Sequence, residues 1–224
     1  MRKILFVSVH PDDETLGCGG TILRLKDEDN LIFWLNLTSG SLDHPFGFTR
    51  EQIDKREKTI ESVISRYKFD GFYNLKLPTQ MLYTIDTSKF IKQVSDIYHK
   101  IEPDILFIPN RSDIHSDHRI AFEALYSAAK NFRSSFIRKI LMYETISETE
   151  FAPALAENAF MPNTFVDISD YFEEKLNIMG LYDTEIMPAP LPRSKYAIRA
   201  LAAYRGYRIG VQYAEAFMLI YNKI

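Results

Sequence analysis

Short apolar runs alternate with longer amphipathic segments along most of this 224-residue chain. The runs are rich in Ile, Leu, Val, Phe and Tyr, which is typical of strands that are buried on both faces. The predicted strands are Lys3 to Val9, Leu31 to Leu37, Phe72 to Leu77, Ile105 to Pro109, Lys139 to Glu144 and Thr164 to Asp167. The predicted helices are Thr15 to Glu28, Thr49 to Tyr67, Thr87 to Ile101, Asp117 to Phe132, Ser169 to Tyr182 and Arg193 to Tyr207. This alternation predicts a Rossmann-like α/β fold, with a doubly wound, mostly parallel sheet and helices on both faces.

No internal repeat or low-complexity segment divides the chain, so residues 1–224 are predicted to form one domain. The net charge of -3 and the pI near 6.0 provide no general attraction to nucleic acid or to an anionic membrane. No apolar stretch approaches the roughly 20 residues that cross a bilayer, so no membrane anchor is expected. The single Cys18 excludes a disulfide within the chain, and the start of the sequence lacks a signal-peptide pattern. We therefore expect a cytoplasmic protein.

Two polar clusters each follow a predicted strand. His10-Pro-Asp-Asp-Glu14 follows the first strand, and Asp113-x-His115-x-Asp117-His118 follows the fourth. Ligands bind at the carboxyl ends of strands in open α/β sheets, so the two clusters are expected to share one crevice. Imidazole and carboxylate groups are good ligands for divalent transition metals. The sequence predicts a three-ligand metal site from His10, Asp13 and one histidine of the second cluster, which leaves Asp12 and the other histidine for proton transfer.

Other interpretations of these residues are structural. Asp12 or Asp13 could cap the first helix, with further acids in its first turn. Gly17, Gly19 and Gly20 do not match the G-x-G-x-x-G dinucleotide pattern, and they favour close packing of the helix on the sheet. Cys18 between them is expected to be a packed core residue.

The two clusters resemble the paired motifs of the LmbE-like, or PIG-L, zinc-dependent de-N-acetylases. The resemblance includes Leu16-Gly-Cys-Gly-Gly-Thr-Ile22 after the first cluster, and Arg56-Glu57 in the second predicted helix. It also includes Tyr213-Ala-Glu-Ala-Phe217, which is similar to the C-terminal signature of the family. The resemblance therefore covers both ends and the middle of the chain.

The resemblance implies a catalytic zinc ion, for which Fe2+ or another divalent transition metal could substitute. The implied metal ligands are His10, Asp13 and His118. The implied reaction removes the acetyl group from an N-acetylglucosamine-type amino-sugar conjugate, which is a small-molecule partner.

The resemblance also implies catalytic roles for Asp12, His115 and Asp117. Asp12 is the implied general base, and His115 is the implied second histidine, acting as an acid or as a stabiliser of the oxyanion. Asp117 would hold His115 and, as a nearby carboxylate, would raise its pKa. Ser116 stands where the family often has proline, and it is expected to cap the following helix instead.

Substrate contacts are less well defined by the sequence. Arg56, Arg111 and Ser39 are candidates for contacts with sugar hydroxyls or an acidic aglycone. A second candidate set consists of Arg193, Arg199, Arg205 and Arg208. Two further functions stay open: a metal-dependent amidase for another amide, such as a cysteine conjugate or an acylated antibiotic, and a non-catalytic sugar-binding module. The sequence also leaves a homo-oligomer open.

Overall fold

The computed structural model of the protein describes residues 1–45 and 47–224. Its strands are β1 (Lys3–Ser8), β2 (Leu31–Ser39), β3 (Gly71–Pro78), β4 (Ile105–Pro109), β5 (Lys139–Tyr143), β6 (Thr164–Asp167) and β7 (Ala214–Asn222). Its α-helices are α1 (Asp13–Asp27), α2 (Arg50–Tyr67), α3 (Thr87–Ile101), α4 (Ser116–Ala128), α5 (Phe172–Met179) and α6 (Lys195–Tyr207). Short 3-10 helices span Leu82–Thr84 and Ala156–Asn158.

The seven strands form one sheet in the order β3-β2-β1-β4-β5-β7-β6. The first five strands of this order are parallel, whereas β7 runs antiparallel to both β5 and β6. The chain order reverses between β1 and β4, and such a switch point opens a crevice at the carboxyl ends of the strands. The predicted Rossmann-like, mostly parallel sheet is confirmed.

Helices cover both faces of the sheet. On one face, Ile22 of α1, Val63 of α2 and Ile198 of α6 belong to the same buried cluster as Trp34 of β2. On the other face, α3 and α4 contribute a second cluster that includes Val94 and Leu125. Strands with both faces covered must be apolar throughout, which explains the continuous apolar runs of the sequence. Among the described residues, no helix is long and apolar enough to cross a membrane.

One strand of the sheet was not predicted from the sequence. β7 follows the last helix and lies between β5 and β6, with Met142 opposite Met218 and Val166 opposite Glu215. A strand that returns antiparallel has no helix after it, so the alternation of strands and helices does not point to it.

Two glycines of α1 allow this helix to approach the sheet closely. A Cβ atom on Gly17 would collide with the ring of Tyr143, and one on Gly20 would lie 2.6 Å from Cβ of Ile168. Cys18 is fully buried among the same core residues. Close packing, rather than nucleotide binding, accounts for these glycines.

A buried ion pair ties α1 to α5 and β7. Lys175 Nζ lies 2.6 Å from Glu215 Oε1, and both side chains are 4% exposed. The Glu215 carboxylate also accepts hydrogen bonds from the backbone N–H groups of Gly20 and Thr21, while Lys175 donates to the carbonyl of Leu16. Because α1 begins at the first polar cluster, this pair helps to position that cluster.

Replacing Lys175 with methionine is expected to lower the free energy of unfolding by about 3–5 kcal/mol, because Glu215 would remain buried without its partner. Urea unfolding monitored by circular dichroism measures this change. The matched control is Lys55→Met, which breaks an exposed pair with Asp183. The control is expected to leave the unfolding free energy nearly unchanged, and equal effects of the two substitutions would contradict a structural role for the buried pair.

Candidate metal and catalytic site

Side chains from the segments after β1 and β4 meet at the crevice between these strands. The imidazole rings of His10, His115 and His118 lie with their centroids between 4.5 and 5.5 Å apart. His10 lies just before α1, and the other two histidines lie at the start of α4. The structure therefore brings the two polar clusters of the sequence into one site.

The ring of His118 is oriented by a buried carboxylate. Nδ1 of His118 lies 2.8 Å from Oδ2 of Asp113. The other Asp113 oxygen accepts hydrogen bonds from Asn110 Nδ2 at 2.9 Å and Thr149 Oγ1 at 2.7 Å. Since Nδ1 is engaged with Asp113, Nε2 of His118 is the nitrogen that faces the crevice. A carboxylate that holds one ring nitrogen in this way is a common outer partner of a metal-binding histidine.

A second carboxylate orients His10 in the same manner. Nε2 of His10 lies 3.3 Å from Oδ2 of Asp117, whose Oδ1 accepts the backbone N–H of Leu82 at 3.0 Å. Nδ1 of His10 then faces Asp13. Asp117 was expected to hold His115, but its carboxylate contacts His10 instead.

Two imidazole nitrogens converge on the carboxylate of Asp13. Oδ2 of Asp13 lies 3.4 Å from Nε2 of His118 and 4.0 Å from Nδ1 of His10. Ligand atoms in a tetrahedral zinc site lie roughly 3.3 Å apart, given bonds of about 2.0–2.1 Å. Nε2 of His118 is fully buried and, among the described residues, has no hydrogen-bond partner. A buried polar atom without a partner is costly, so a cation at this point would satisfy it.

A second group of potential ligands shares His10. It consists of His10, His115 and Asp117, whose ligand atoms also lie within 4.8 Å of one another. In both groups the carboxylate already has hydrogen-bond partners within the protein, from the backbone N–H groups of Val9 and His10 to Asp13 and from His10 and Leu82 to Asp117. Among the described residues, the buried ring nitrogen without a partner, Nε2 of His118, belongs to the group with Asp13. The group of His10, Asp13 and His118 is therefore the better fit for a metal ion.

Electrostatics also favour a cation between Asp13 and His118. Burial alone would lower the pKa of His118, but the charges of Asp13 and Asp113 raise it to about 9. Burial would raise the pKa of Asp13, but His118 and His10 outweigh this effect and lower it. A proton is therefore held at the point where a divalent cation could take its place.

Asp12 lies beside the ligand group without belonging to it. Its backbone has a φ of 150°, a region that residues with a side chain rarely adopt. Its N–H donates to the carboxylate of buried Glu14, and its own Oδ2 lies 3.0 Å from Nη1 of Arg193. The Asp12 side chain makes no capping hydrogen bond to α1, so capping does not explain this residue. Burial, followed by the charge of Asp13, raises its pKa well above the ordinary value.

His115 is the N-cap residue of α4, in place of the expected Ser116. Its Nδ1 accepts the backbone N–H of Asp117 at 3.1 Å. An acceptor nitrogen carries no proton, so His115 is neutral in this conformation and its proton lies on Nε2. Burial, together with repulsion from His10 and His118, lowers the pKa of His115 to about 4. The charge of Asp117 does raise this pKa, as expected, but burial and the two neighbouring histidines outweigh it, so the expected charged form of His115 is not favoured.

Arg193 is a site residue that the sequence pattern does not distinguish from the other arginines of its candidate set. Besides Asp12, it donates to Glu185, Ser147 and Glu148. Two other arginines of that set lie elsewhere: Arg199 contacts Tyr213 and Glu173, and Arg205 contacts Glu144. No local pattern marks Arg193, because 181 residues separate it from Asp12.

The three candidate substrate contacts lie in different surroundings. Arg56 donates to the carbonyl of Pro11 at 3.1 Å and contacts Glu185, so it borders the site. Ser39 accepts a hydrogen bond from Asn74 between β2 and β3. Arg111 donates to the carbonyl of Glu157, which lies in a 3-10 helix.

Similar proteins were found by sequence and by structure. A family model described as "PIG-L: GlcNAc-PI de-N-acetylase" matches residues 5–129. The chain is 28% identical over 236 residues to the diacetylchitobiose deacetylase of Thermococcus kodakarensis, covering 98% of this chain and 84% of that protein. It is 25% identical over 191 residues to the probable N-acetyl-alpha-D-glucosaminyl L-malate deacetylase 2 of Bacillus cereus, covering 82% and 84% respectively.

The fold is similar to that of a solved structure over its whole length. The conserved protein TT1542 from Thermus thermophilus has a TM-score of 0.78 and 25% identity, covering 100% of this chain and 97% of that chain. The family match extends over more than half of the chain and includes both polar clusters. The chain is an enzyme that hydrolyses amide bonds, which sets aside the non-catalytic module. It belongs to the PIG-L family, the family of the GlcNAc-PI de-N-acetylases.

Proposed function

We propose that this enzyme is a zinc-dependent deacetylase that removes the N-acetyl group from an N-acetylglucosamine-type amino-sugar conjugate. The observation that carries the proposal is the convergence of Nδ1 of His10 and the unpartnered Nε2 of His118 on Asp13, with Asp12 next to them but outside the group. A binding site alone would not need this separate carboxylate. The two named relatives act on a diacetylated disaccharide and on an N-acetylglucosaminyl malate, which supports an amino-sugar substrate.

The metal would be held by His10, Asp13 and His118. Two imidazoles and one carboxylate form a ligand set typical of catalytic zinc, and Fe2+ is also compatible with these donors. When bound, the metal polarises the amide carbonyl and lowers the pKa of water in the site. Asp113 and Asp117 would keep the two imidazoles turned inward, since each holds the opposite ring nitrogen.

Asp12 would act as the general base. Its raised pKa brings the carboxylate closer to the pH at which the enzyme works, which favours proton transfer in both directions. It would take a proton from the attacking water, whose oxygen bonds to the acetyl carbon. It could then return this proton to the sugar nitrogen as the C–N bond breaks, giving acetate and a free amine.

His115 would stabilise the oxygen that becomes negative during the attack. Its Nδ1 accepts a backbone hydrogen bond, so its Nε2–H is free of that contact and can donate. A fixed donor at a developing oxyanion lowers the barrier of acyl transfer. The neutral ring favours this role over that of a charged acid. Asp117 would support both histidines, through its carboxylate to His10 and its backbone N–H to His115. Arg56, Ser39 and Arg111 stay proposed substrate contacts.

The test is to incubate the zinc-loaded enzyme with N-acetylated amino-sugar conjugates and to measure both acetate and free amine. We expect equal amounts of the two products, because one amide bond yields one of each. A zinc chelator is expected to abolish the reaction, and added zinc is expected to restore it. No acetate from any N-acetylated sugar would contradict the proposed substrate class, and activity that survives complete metal removal would contradict the metal mechanism.

A further inference from the structure

Two arginines lie beside the proposed base, at the opening of the site. Arg193 is within 3.0 Å of Asp12, and Arg56 donates to the carbonyl of Pro11, the preceding residue. Their side chains are 18% and 33% exposed, so they border the opening of the site rather than its base. Paired guanidinium groups in such a place are typical of sites that bind a carboxylate or a phosphate.

The enzyme fills this place with a carboxylate of its own. Glu185 bridges the two arginines: Oε2 lies 2.8 Å from Nη1 of Arg193, and Oε1 contacts Nη2 of Arg56. The backbone N–H of Glu185 donates to the carbonyl of Tyr182 at 2.9 Å, which holds the segment in place after α5. Burial would raise the pKa of Glu185, but the hydrogen bond and charge of Arg56 and the charge of Arg193 lower it, so the carboxylate is ionised.

The other polar contacts of these arginines also stay within the chain. Arg193 donates through Nε to Ser147 and through Nη2 to Glu148. A substrate anion would therefore have to displace the Glu185 carboxylate to reach the two guanidinium groups.

We propose that Glu185 makes the enzyme selective for amino-sugar conjugates with an uncharged aglycone, by occupying the anion position between Arg56 and Arg193. This inference rests on the proposed deacetylase function. The expected substrates are neutral N-acetylated saccharides. Conjugates whose aglycone carries a carboxylate or a phosphate are expected to be poor substrates. Specificity of this kind comes from repulsion of the wrong substrate as much as from attraction of the right one.

The test compares kcat/KM for a neutral conjugate, N,N'-diacetylchitobiose, with kcat/KM for an anionic one, N-acetylglucosaminyl malate. The wild-type enzyme is expected to prefer the neutral conjugate. Glu185→Gln keeps the shape of the side chain and removes its charge, so it is expected to shift the ratio toward the anionic conjugate by about tenfold or more. Free malate is also expected to inhibit hydrolysis of the neutral conjugate more strongly in the variant than in the wild type.

The matched control is Asp183→Asn, which removes a carboxylate two residues away that pairs with exposed Lys55. It is expected to leave the ratio unchanged. A wild-type preference for the anionic conjugate, or the same ratio and the same malate inhibition in Glu185→Gln and wild type, would overturn the role of Glu185 while leaving the deacetylase function intact. Acetate release from neither conjugate would overturn the proposed function and this inference with it.

Discussion

Replacing Asp12 with asparagine is expected to lower kcat by about 10²–10⁴-fold, the range typical of a lost general base. The amide keeps the size of the side chain and can still contact Arg193, but it cannot take a proton from water. Because Asp12 lies outside the ligand group, the variant should keep the metal content of the wild type. Steady-state kinetics and elemental analysis of the same preparation measure both quantities.

The dependence on pH provides a second test of Asp12. A base works only when it is ionised, so wild-type activity should fall as the pH drops through the pKa of Asp12. Burial raises this pKa, so the acidic limb of the pH–activity profile should lie at a higher pH than it would for an ordinary aspartate. This acidic limb should be absent from the pH profile of the residual activity of Asp12→Asn. Asp96→Asn, which removes an exposed carboxylate paired with Lys92, is the control and should behave as the wild type does. Activity of Asp12→Asn within a few-fold of the wild type would refute the assignment of the base.

Replacing His118 with alanine is expected to weaken zinc binding more than replacing Asp113 with asparagine. His118 provides the buried nitrogen that faces Asp13, so its loss leaves only two of the three proposed ligands. Asp113→Asn should have a smaller effect, about 10–100-fold in affinity, because Asp113 only orients the ring of His118. Competition with a chromogenic zinc chelator measures both affinities, and thermal unfolding checks that the variants are folded.

The control for this series is His99→Ala, because His99 is exposed and bonds only to Ser95 among the hydrogen bonds described. It should bind zinc as the wild type does. Unchanged zinc affinity in His118→Ala, or a larger loss in Asp113→Asn than in His118→Ala, would be incompatible with the proposed ligand group.

Much of the fold could be predicted from local patterns. Buried parallel strands need continuous apolar runs, and amphipathic helices between them need a helical period, so both signals are present in short windows of sequence. The return strand β7 escaped prediction because its pairing with β5 and β6 depends on the finished sheet. The polar clusters at His10–Glu14 and Asp113–His118 were also visible, since each is contained within six residues or fewer.

The partners of those residues could not be predicted in the same way. Asp117 follows His115 closely in the sequence, which suggested that it would hold this ring. The turn into α4 instead directs its carboxylate toward His10, 107 residues away, and its backbone N–H toward His115. The protonation of the His115 ring depends on this arrangement. Side-chain directions at a helix start are decided by backbone geometry that residue types alone do not specify.

The sequence by itself determined that this chain forms a doubly wound sheet and that two groups of metal-binding residue types lie at the ends of neighbouring strands. Only the tertiary structure decided which imidazole nitrogens face Asp13, and which charges surround Asp12. Arg56, Glu185 and Arg193 come from α2 and from the segment between α5 and α6, and they meet Asp12 only after the helices pack on the sheet. The physical reason is that apolar periodicity is a local property, whereas the charge balance of a crevice is a sum over residues far apart in the chain.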